Sequence, residues 1–197
     1  NQGLNVSGGG IFVGGQAPLV AGTLSPGSGN VTVSGNLVQG NQAGAGDGGG
    51  IAAQFINGTE IVPAPNNEST WYRLVLENNV VVNNLAGMAG GGISLQDVAL
   101  STIVNNTVAD NQSTATAGAA FAPGSPNQST AQPAGIVSRA HSTLLANTIG
   151  NGPRVSPYKR YANPVLVNNI VWHNRSYFWS IDNSTIPATF GLHANAA

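Results

Sequence analysis

Residues 166–174 read LVNNIVWHN, and four other segments share their pattern: VSGNLVQGN at 33–41, LENNVVVNN at 76–84, IVNNTVADN at 103–111 and LLANTIGNG at 144–152. The fourth position is always Asn, the residue three before it is aliphatic, and the residue two after it is β-branched. These anchor residues are Asn36, Asn79, Asn106, Asn147 and Asn169. Such self-similarity indicates a repeat architecture.

A second marker alternates with the first. Gly-Gly-Gly-Ile occurs at 8–11, 48–51 and 90–93, and weaker copies follow at 118–121 and 134–136. Successive anchors are separated by 43, 27, 41 and 22 residues. We interpret 22 as the length of a bare coil, with the longer spacings carrying insertions, chiefly at 52–70 and 112–133. Insertions into such a repeat leave the coil as loops on one face.

The apolar positions favour strands over helices. They are few, β-branched and confined to short runs between Gly and Asn, and no long window shows helical spacing. Short strands cannot bury a face alone, but stacked in register they enclose one aliphatic core. The anchor Asn side chains would then stack in a ladder, each hydrogen-bonded to its neighbours. The alternative is that these Asn residues only mark solvent-facing turns.

Gly-Gly-Gly-Ile followed by aliphatic-x-Asn-Asn-x-Val-x-x-Asn resembles the right-handed parallel β-helix superfamily, in its pectate-lyase-like and bacterial surface-protein branches. The resemblance covers about residues 8–174, and residues 167–174 carry it best. It implies an all-β fold, a right-handed parallel β-helix of about five to six coils with long loop insertions. We expect one domain over 1–197, with the tail 175–197 capping the coil or contacting another subunit. The fold hosts many activities, so the resemblance implies no single one.

Composition excludes several classes of function. Only 7% of the 197 residues are charged and the net charge is -1, which does not fit a nucleic-acid-binding surface. The absence of Cys excludes disulfides, thiolate catalysis and Cys-based metal sites. No run of about 20 apolar residues predicts a membrane span. The chain starts at Asn1 without a leader, so we expect a processed or excised piece of an extracellular or cell-surface protein.

Chemistry-bearing residues are sparse. The acids are Asp47, Glu60, Glu68, Glu77, Asp97, Asp110 and Asp182, and on the predicted repeat no two share a register. A paired-carboxylate site is therefore not predicted. His141, His173 and His193 have no metal-ligand spacing. We predict no catalytic residue, cofactor or metal. The alternative is a fragment of a polysaccharide lyase or glycoside hydrolase in which loops bring Glu60 or Glu68 near Asp97.

Aromatic side chains are the candidates for a binding surface. Trp71, Tyr72, Tyr177 and Trp179 are candidates for contact with a glycan or with another subunit, since exposed aromatic rings stack on sugars and anchor interfaces. A glycan-binding module and a polysaccharide partner are thus further alternatives. The competing interpretation is that these rings pack inserted loops or plug the end of the coil.

Glycosylation sequons are in excess. Asn-x-Ser/Thr occurs nine times among 24 Asn, and Asn57, Asn67, Asn127 and Asn183 lie in predicted insertions or the tail, where a glycan fits. No capping helix is apparent at either end of the repeat, although unpaired coil ends are normally covered. We expect an extracellular structural solenoid, either a filament subunit stacking end to end with its own copies, or an adhesin-like part of a longer solenoid.

Overall fold

The computed structural model describes residues 2–3, 6–18, 20–182, 184 and 189–195. They form a parallel β-solenoid, as the repeat predicts: four sheets run along the molecule, and the chain visits each in turn. Within each sheet, successive strands are parallel and in register, with one antiparallel exception at the C-terminal end.

Three sheets contain four strands each. Sheet 1 consists of β2 (Ile11–Gly14), β6 (Ile51–Gln54), β10 (Ile93–Gln96) and β14 (Ile136–Ser138). Sheet 2 consists of β3 (Val31–Ser34), β7 (Arg73–Glu77), β11 (Leu100–Val104) and β15 (Val165–Val167). Sheet 3 consists of β4 (Leu37–Gln39), β8 (Val80–Val82), β12 (Thr107–Ala109) and β16 (Ile170–Trp172).

Sheet 4 is longer. It consists of β1 (Gln2–Gly3), β5 (Gln42–Ala43), β9 (Leu85–Ala86), β13 (Gln112–Ser113), β17 (Arg175–Asp182) and β18 (Thr189–Ala194), and β18 is antiparallel to β17. The described residues thus make four full coils, preceded by the single strand β1, rather than five to six. Short 3₁₀ helices occur in the insertions, at Thr59–Ile61, Glu68–Thr70, Gly118–Ala120 and Ser156–Tyr158.

The coil count is lower because the segment around Asn147 is not a coil. Residues Thr143–Thr148 form helix α1, whose first turn is capped by Ser142 Oγ, which accepts from the Leu145 N–H at 3.3 Å. Leu and Ala favour helix, and Leu145 anchors the turn in an apolar cluster with Ile149 and Trp71. Asn147 is exposed on this helix, outside the ladder. One coil therefore extends from Asn106 to Asn169, and the shortest anchor spacing is 27 residues, not 22.

The core is a stack of aliphatic columns inside the coils. Leu76 and Ile103 are paired in adjacent strands of sheet 2, Val81 and Val108 in sheet 3, and all four are fully buried. Because side chains alternate between the two faces of a strand, one inward residue per short strand suffices to fill the interior. The column residues belong to one continuous apolar cluster.

Asparagine ladders connect the coils at two corners. One consists of Asn36, Asn79, Asn106 and Asn169, and the other of Asn41, Asn84, Asn111 and Asn174. In each step, the backbone N–H and Nδ2 of one Asn donate to Oδ1 of the Asn in the next coil, at 2.9–3.1 Å. Asn79 and Asn106 are 1% exposed, so these bonds satisfy polar groups that water does not reach.

The glycine triplets are explained by space at the entry to sheet 1. Gly90 has φ +64°, which an L side chain rarely adopts. A Cβ added at Gly91 would lie 2.2 Å from the backbone oxygen of Gln112, so no side chain fits there. The triplet therefore lets the chain turn into β10 while staying in contact with the neighbouring coil.

Candidate functional site

The last coil leaves the core open at its C-terminal end. Leu166 continues the column of Leu76 and Ile103, and Val171 continues that of Val81 and Val108. Leu166 is 54% exposed and Val171 52%, whereas their column neighbours are 0% exposed. The difference arises because β15 pairs with β11 and β16 with β12, and no described strand covers their other edges.

The outward residues of the same two strands are also apolar. Val165, Val167, Ile170 and Trp172 are 42–63% exposed. Together with Leu166 and Val171 they form a contiguous surface, which we call the end patch (β15 and β16). An exposed apolar surface next to unpaired strand edges is typical of an interaction site.

Sheet 4 is closed at this end. The strand β18 folds back on β17 and pairs with its outer edge, from Tyr177 opposite Ala194 to Asp182 opposite Thr189. Ring contacts support the pairing: the centroids of Trp179 and Phe190 lie 5.7 Å apart. The described part of the tail thus caps sheet 4 and does not cover the end patch.

At the N-terminal end, too, a described strand covers sheet 4 but not the other three sheets. Among the described strands, β2, β3 and β4 pair on one side only, with β6, β7 and β8, while β1 covers β5 in sheet 4. Phe12 and Leu37 are 53% and 67% exposed at this end. The inward residues Ile11 and Val33 are half-buried. Both ends of the solenoid therefore expose strand edges and apolar side chains.

A three-residue polar cluster joins the last two coils on the outer corner between sheets 3 and 4. Nδ1 of His173 lies 2.5 Å from Oδ1 of Asp110, and Nε2 lies 2.8 Å from Nη2 of Arg175. Because a guanidinium only donates, Nε2 accepts and Nδ1 carries the proton that it donates to Asp110. The lone pair that a general base would use is thus occupied, and the cluster links two coils.

Sequence reasoning missed this cluster for an identifiable reason. Asp110 and His173 both lie four residues after their anchors, and both have positive φ. When the segment around Asn147 is counted as a coil of the repeat, it places one extra coil between Asp110 and His173. Once that segment is assigned to an insertion, the shared register alone places Asp110 beside His173.

A second ion pair joins the loop before β6 to the residue that follows β14. Arg139 Nη1 lies 2.7 Å from Asp47 Oδ1, which also accepts from the Ala89 N–H at 3.1 Å. Burial raises the pKa of the Asp47 carboxyl, and the Arg139 charge and these hydrogen bonds oppose that shift. The pair connects Asp47 to an insertion of the last coil.

Two further acids, Glu60 and the buried Asp97, accept hydrogen bonds from neighbouring amides. Glu60 accepts from Asn57 Nδ2 and from the Gly58 N–H, both at 2.7 Å. Asp97 accepts from the Ser142 N–H at 2.6 Å and borders a cavity of about 70 Å³. Small-molecule sites are usually larger than about 300 Å³, so this cavity does not fit a sugar ring. No group of three His, Asp or Glu in the described part of the chain is arranged to hold a metal.

The predicted aromatic contacts separate into two groups. Trp71 is 4% exposed, donates from Nε1 to the Ala64 oxygen at 3.0 Å and packs edge-on against Tyr158. Tyr72 packs against the core. These two rings therefore hold insertions together. Tyr177 and Trp179 lie half-buried on β17, the strand that β18 covers.

The glycosylation candidates differ in accessibility. Asn57 is 1% exposed, and its side chain bonds to Glu60, the Tyr72 oxygen and the Ala99 N–H, so a glycan would disrupt three hydrogen bonds. Asn67 and Asn127 are exposed. Asn183 lies outside the described residues.

Comparison with protein-family models, with curated proteins and with solved structures finds no match for this chain. The fold itself defines the class: a parallel β-solenoid with exposed coil ends. None of the described helices has the length and apolar character needed to cross a membrane.

Proposed function

We propose that this chain is an extracellular structural β-solenoid that self-associates through its end patch, as a filament subunit or as part of an adhesin-like surface protein. The observation that carries the proposal is the exposure of Leu166 and Val171, which continue buried core columns yet are more than half exposed. A further coil would bury them and pair the free edges of β15 and β16.

The composition of the end patch favours association with another chain, because the patch lacks the residues that normally block an exposed strand edge. Natural proteins block exposed strand edges with charge, especially Lys, or with Pro. The six residues of β15 and β16 include no charged residue and no Pro, and Lys159 is the sole lysine of the chain. Repulsion between copies is also weak at a net charge of -1.

The experiment is light scattering of the parent chain and two variants over a range of concentrations. The parent should increase in mass above 19.8 kDa as concentration rises. Val171→Lys places a charge on the end patch and should keep the chain monomeric. Val80→Lys is the control for the added charge, because Val80 is 40% exposed on an inner coil, and it should associate as the parent does. A parent that stays monomeric throughout refutes the proposal.

A further inference from the structure

We infer that copies of this chain bind head to tail: the first coil of one copy, β2 to β4, stacks on β14 to β16 of the copy before it. The inference rests on the proposed function and specifies its partner surface and its polarity. Three features carry it: the direction of the asparagine ladder, the backbone pattern at the ladder corner, and the aliphatic columns.

The ladder has a direction, which leaves complementary groups at its two ends. Asn79 donates from N–H and Nδ2 to Oδ1 of Asn106, at 2.9 and 3.0 Å, and every inner step repeats this arrangement. At the start, Asn36 Oδ1 has no donor among the described residues; at the end, the Asn169 N–H has no acceptor among them. Stacking Asn36 of a second copy beyond Asn169 supplies both.

The backbone beside the ladder shows the same complementarity. The residue after each anchor donates its N–H to the carbonyl of the previous anchor: Thr107 to Asn79 and Ile170 to Asn106, both at 2.9 Å. In the last coil, the Asn169 carbonyl is the corresponding acceptor, and no described N–H donates to it. In the first coil, the Leu37 N–H is the corresponding donor. In the stacked arrangement Leu37 would donate to Asn169, as Ile170 does to Asn106.

The aliphatic columns continue in the same register. Val33 pairs with Leu76 and Val38 with Val81, so a first coil placed beyond the last would set Val33 on Leu166 and Val38 on Val171. Burying the exposed halves of Leu166 and Val171 would remove apolar surface from water, worth about 25 cal/mol per Å².

The opposite arrangement lacks these contacts. Two C-terminal ends in face-to-face contact would direct the free N–H of Asn169 at its own counterpart, with no acceptor between them. A head-to-tail contact joins different surfaces and does not close on itself by a twofold axis, so it repeats into a filament.

Sheet 4 imposes one condition. The strand β18 occupies the edge of β17, and β1 occupies the edge of β5. Direct contact in sheets 1 to 3 therefore requires both strands to leave those edges. β1 is only two residues long, whereas β18 pairs with β17 at six positions, although five of its six residues are exposed. Displacement of β18 is then the step that limits assembly.

Disulfide cross-linking tests the head-to-tail arrangement. Because the chain has no native Cys, any disulfide must form between introduced cysteines. Ser34 pairs with Glu77, which pairs with Val104 in the next strand, and Val104 pairs in turn with Val167. Ser34 and Val167 therefore occupy the same register position in sheet 2. In the stacked arrangement Ser34 of one copy would lie one strand spacing, about 4.8 Å, from Val167 of the next, within the reach of a disulfide. The variant carrying both Ser34→Cys and Val167→Cys should give a series of covalent oligomers on non-reducing denaturing gels, and each single variant should give no covalent oligomer.

Each outcome is decisive. A covalent dimer of the Val167→Cys variant alone indicates tail-to-tail contact and overturns the inference. Association in light scattering without cross-linking of the double variant also overturns it, while the proposed function stands. No association at all refutes the proposed function itself.

A further substitution tests the displacement step. Gly191 pairs with Ser180 in the β17–β18 hairpin, and Gly191→Pro removes an N–H from β18. Added to the double-Cys variant, it should speed cross-linking several-fold. An unchanged rate contradicts displacement of β18.

Discussion

Asn106 donates from its backbone N–H and from Nδ2 to Oδ1 of Asn169, at 2.9 and 3.1 Å, although 63 residues of chain separate them. This contact defines the last coil. It requires residues 114–135 and 139–164 to leave the coil as insertions on either side of β14. The position of the ladder, and not the length of the chain between its members, therefore sets where coils begin.

Removing an inner ladder side chain should be costly. Asn106→Ala removes the acceptor of the Asn79 N–H, one of the two hydrogen bonds of Asn79 Nδ2 and a donor to the Leu76 carbonyl. In this buried site the loss should lower the free energy of unfolding by about 2–4 kcal/mol. Asn147→Ala is the matched control: this residue is exposed on α1, so the change should stay within about 0.5 kcal/mol. Urea denaturation measures both, and equal losses would contradict the ladder.

Two glycines should respond in opposite ways. Gly91→Ala drives a Cβ to 2.2 Å from the Gln112 oxygen and should destabilise the fold by about 2–4 kcal/mol. Gly40 has φ +67° with open space around it, and Asn83 occupies the same register at φ +54°. Gly40→Asn should therefore be neutral or stabilise by up to about 1 kcal/mol, because Asn restricts the unfolded chain. Thermal melting distinguishes the two, and a severe loss for Gly40→Asn would be inconsistent with this register.

The Asp47 carboxyl should make a pH-dependent contribution. Its pKa in the folded chain is raised above the ordinary 3.8 by burial, so its favourable contribution is complete below that pH and is lost as pH rises through the raised value. Asp47→Asn mimics the protonated form. Denaturation at about pH 3 and about pH 7 should show the variant gaining stability relative to the parent at the higher pH.

A variant that removes the partner should behave oppositely. Arg139→Ala leaves Asp47 without its counter-charge, 2.7 Å away in the parent, and should lose most stability at neutral pH. If Asp47→Asn instead loses stability progressively as pH rises, the carboxyl is stabilised by its surroundings and the direction assigned here is wrong.

Glycan attachment should follow exposure. Expressed in a host that glycosylates secreted proteins, the chain should carry glycans at Asn67 and Asn127, which are exposed, and none at Asn57, which is 1% exposed. Peptide mapping after deglycosylation in heavy-oxygen water marks each site by a mass shift. Occupancy at Asn57 would show that the 52–70 insertion folds after modification, or not as described.

The repeat could be recognised from the sequence because the same residue types recur at the same positions of every coil. An aliphatic residue, an Asn and a β-branched residue at fixed spacing are what an inward strand, a corner and the next strand require. Leu76, Asn79 and Val81 show this directly, since all three are buried at those places.

The remainder depends on contacts that the repeat does not encode. The 144–152 segment matches at its first positions but has Gly152 where the other segments have Asn, and packing of Leu145 against the insertions makes it helical. The Asp110–His173 contact follows only once that segment is removed from the count. The β17–β18 hairpin belongs to no repeat, so its antiparallel pairing was not predictable.

Hydrogen exchange of the end patch tests self-association most directly. At low concentration the amides of residues 165–174 that face the open edge should exchange fast, because no strand covers β15 and β16. At high concentration they should become protected, while residues 100–109 in the coil beneath stay protected at both. Exchange of 165–174 that is the same at every concentration would contradict association through this end.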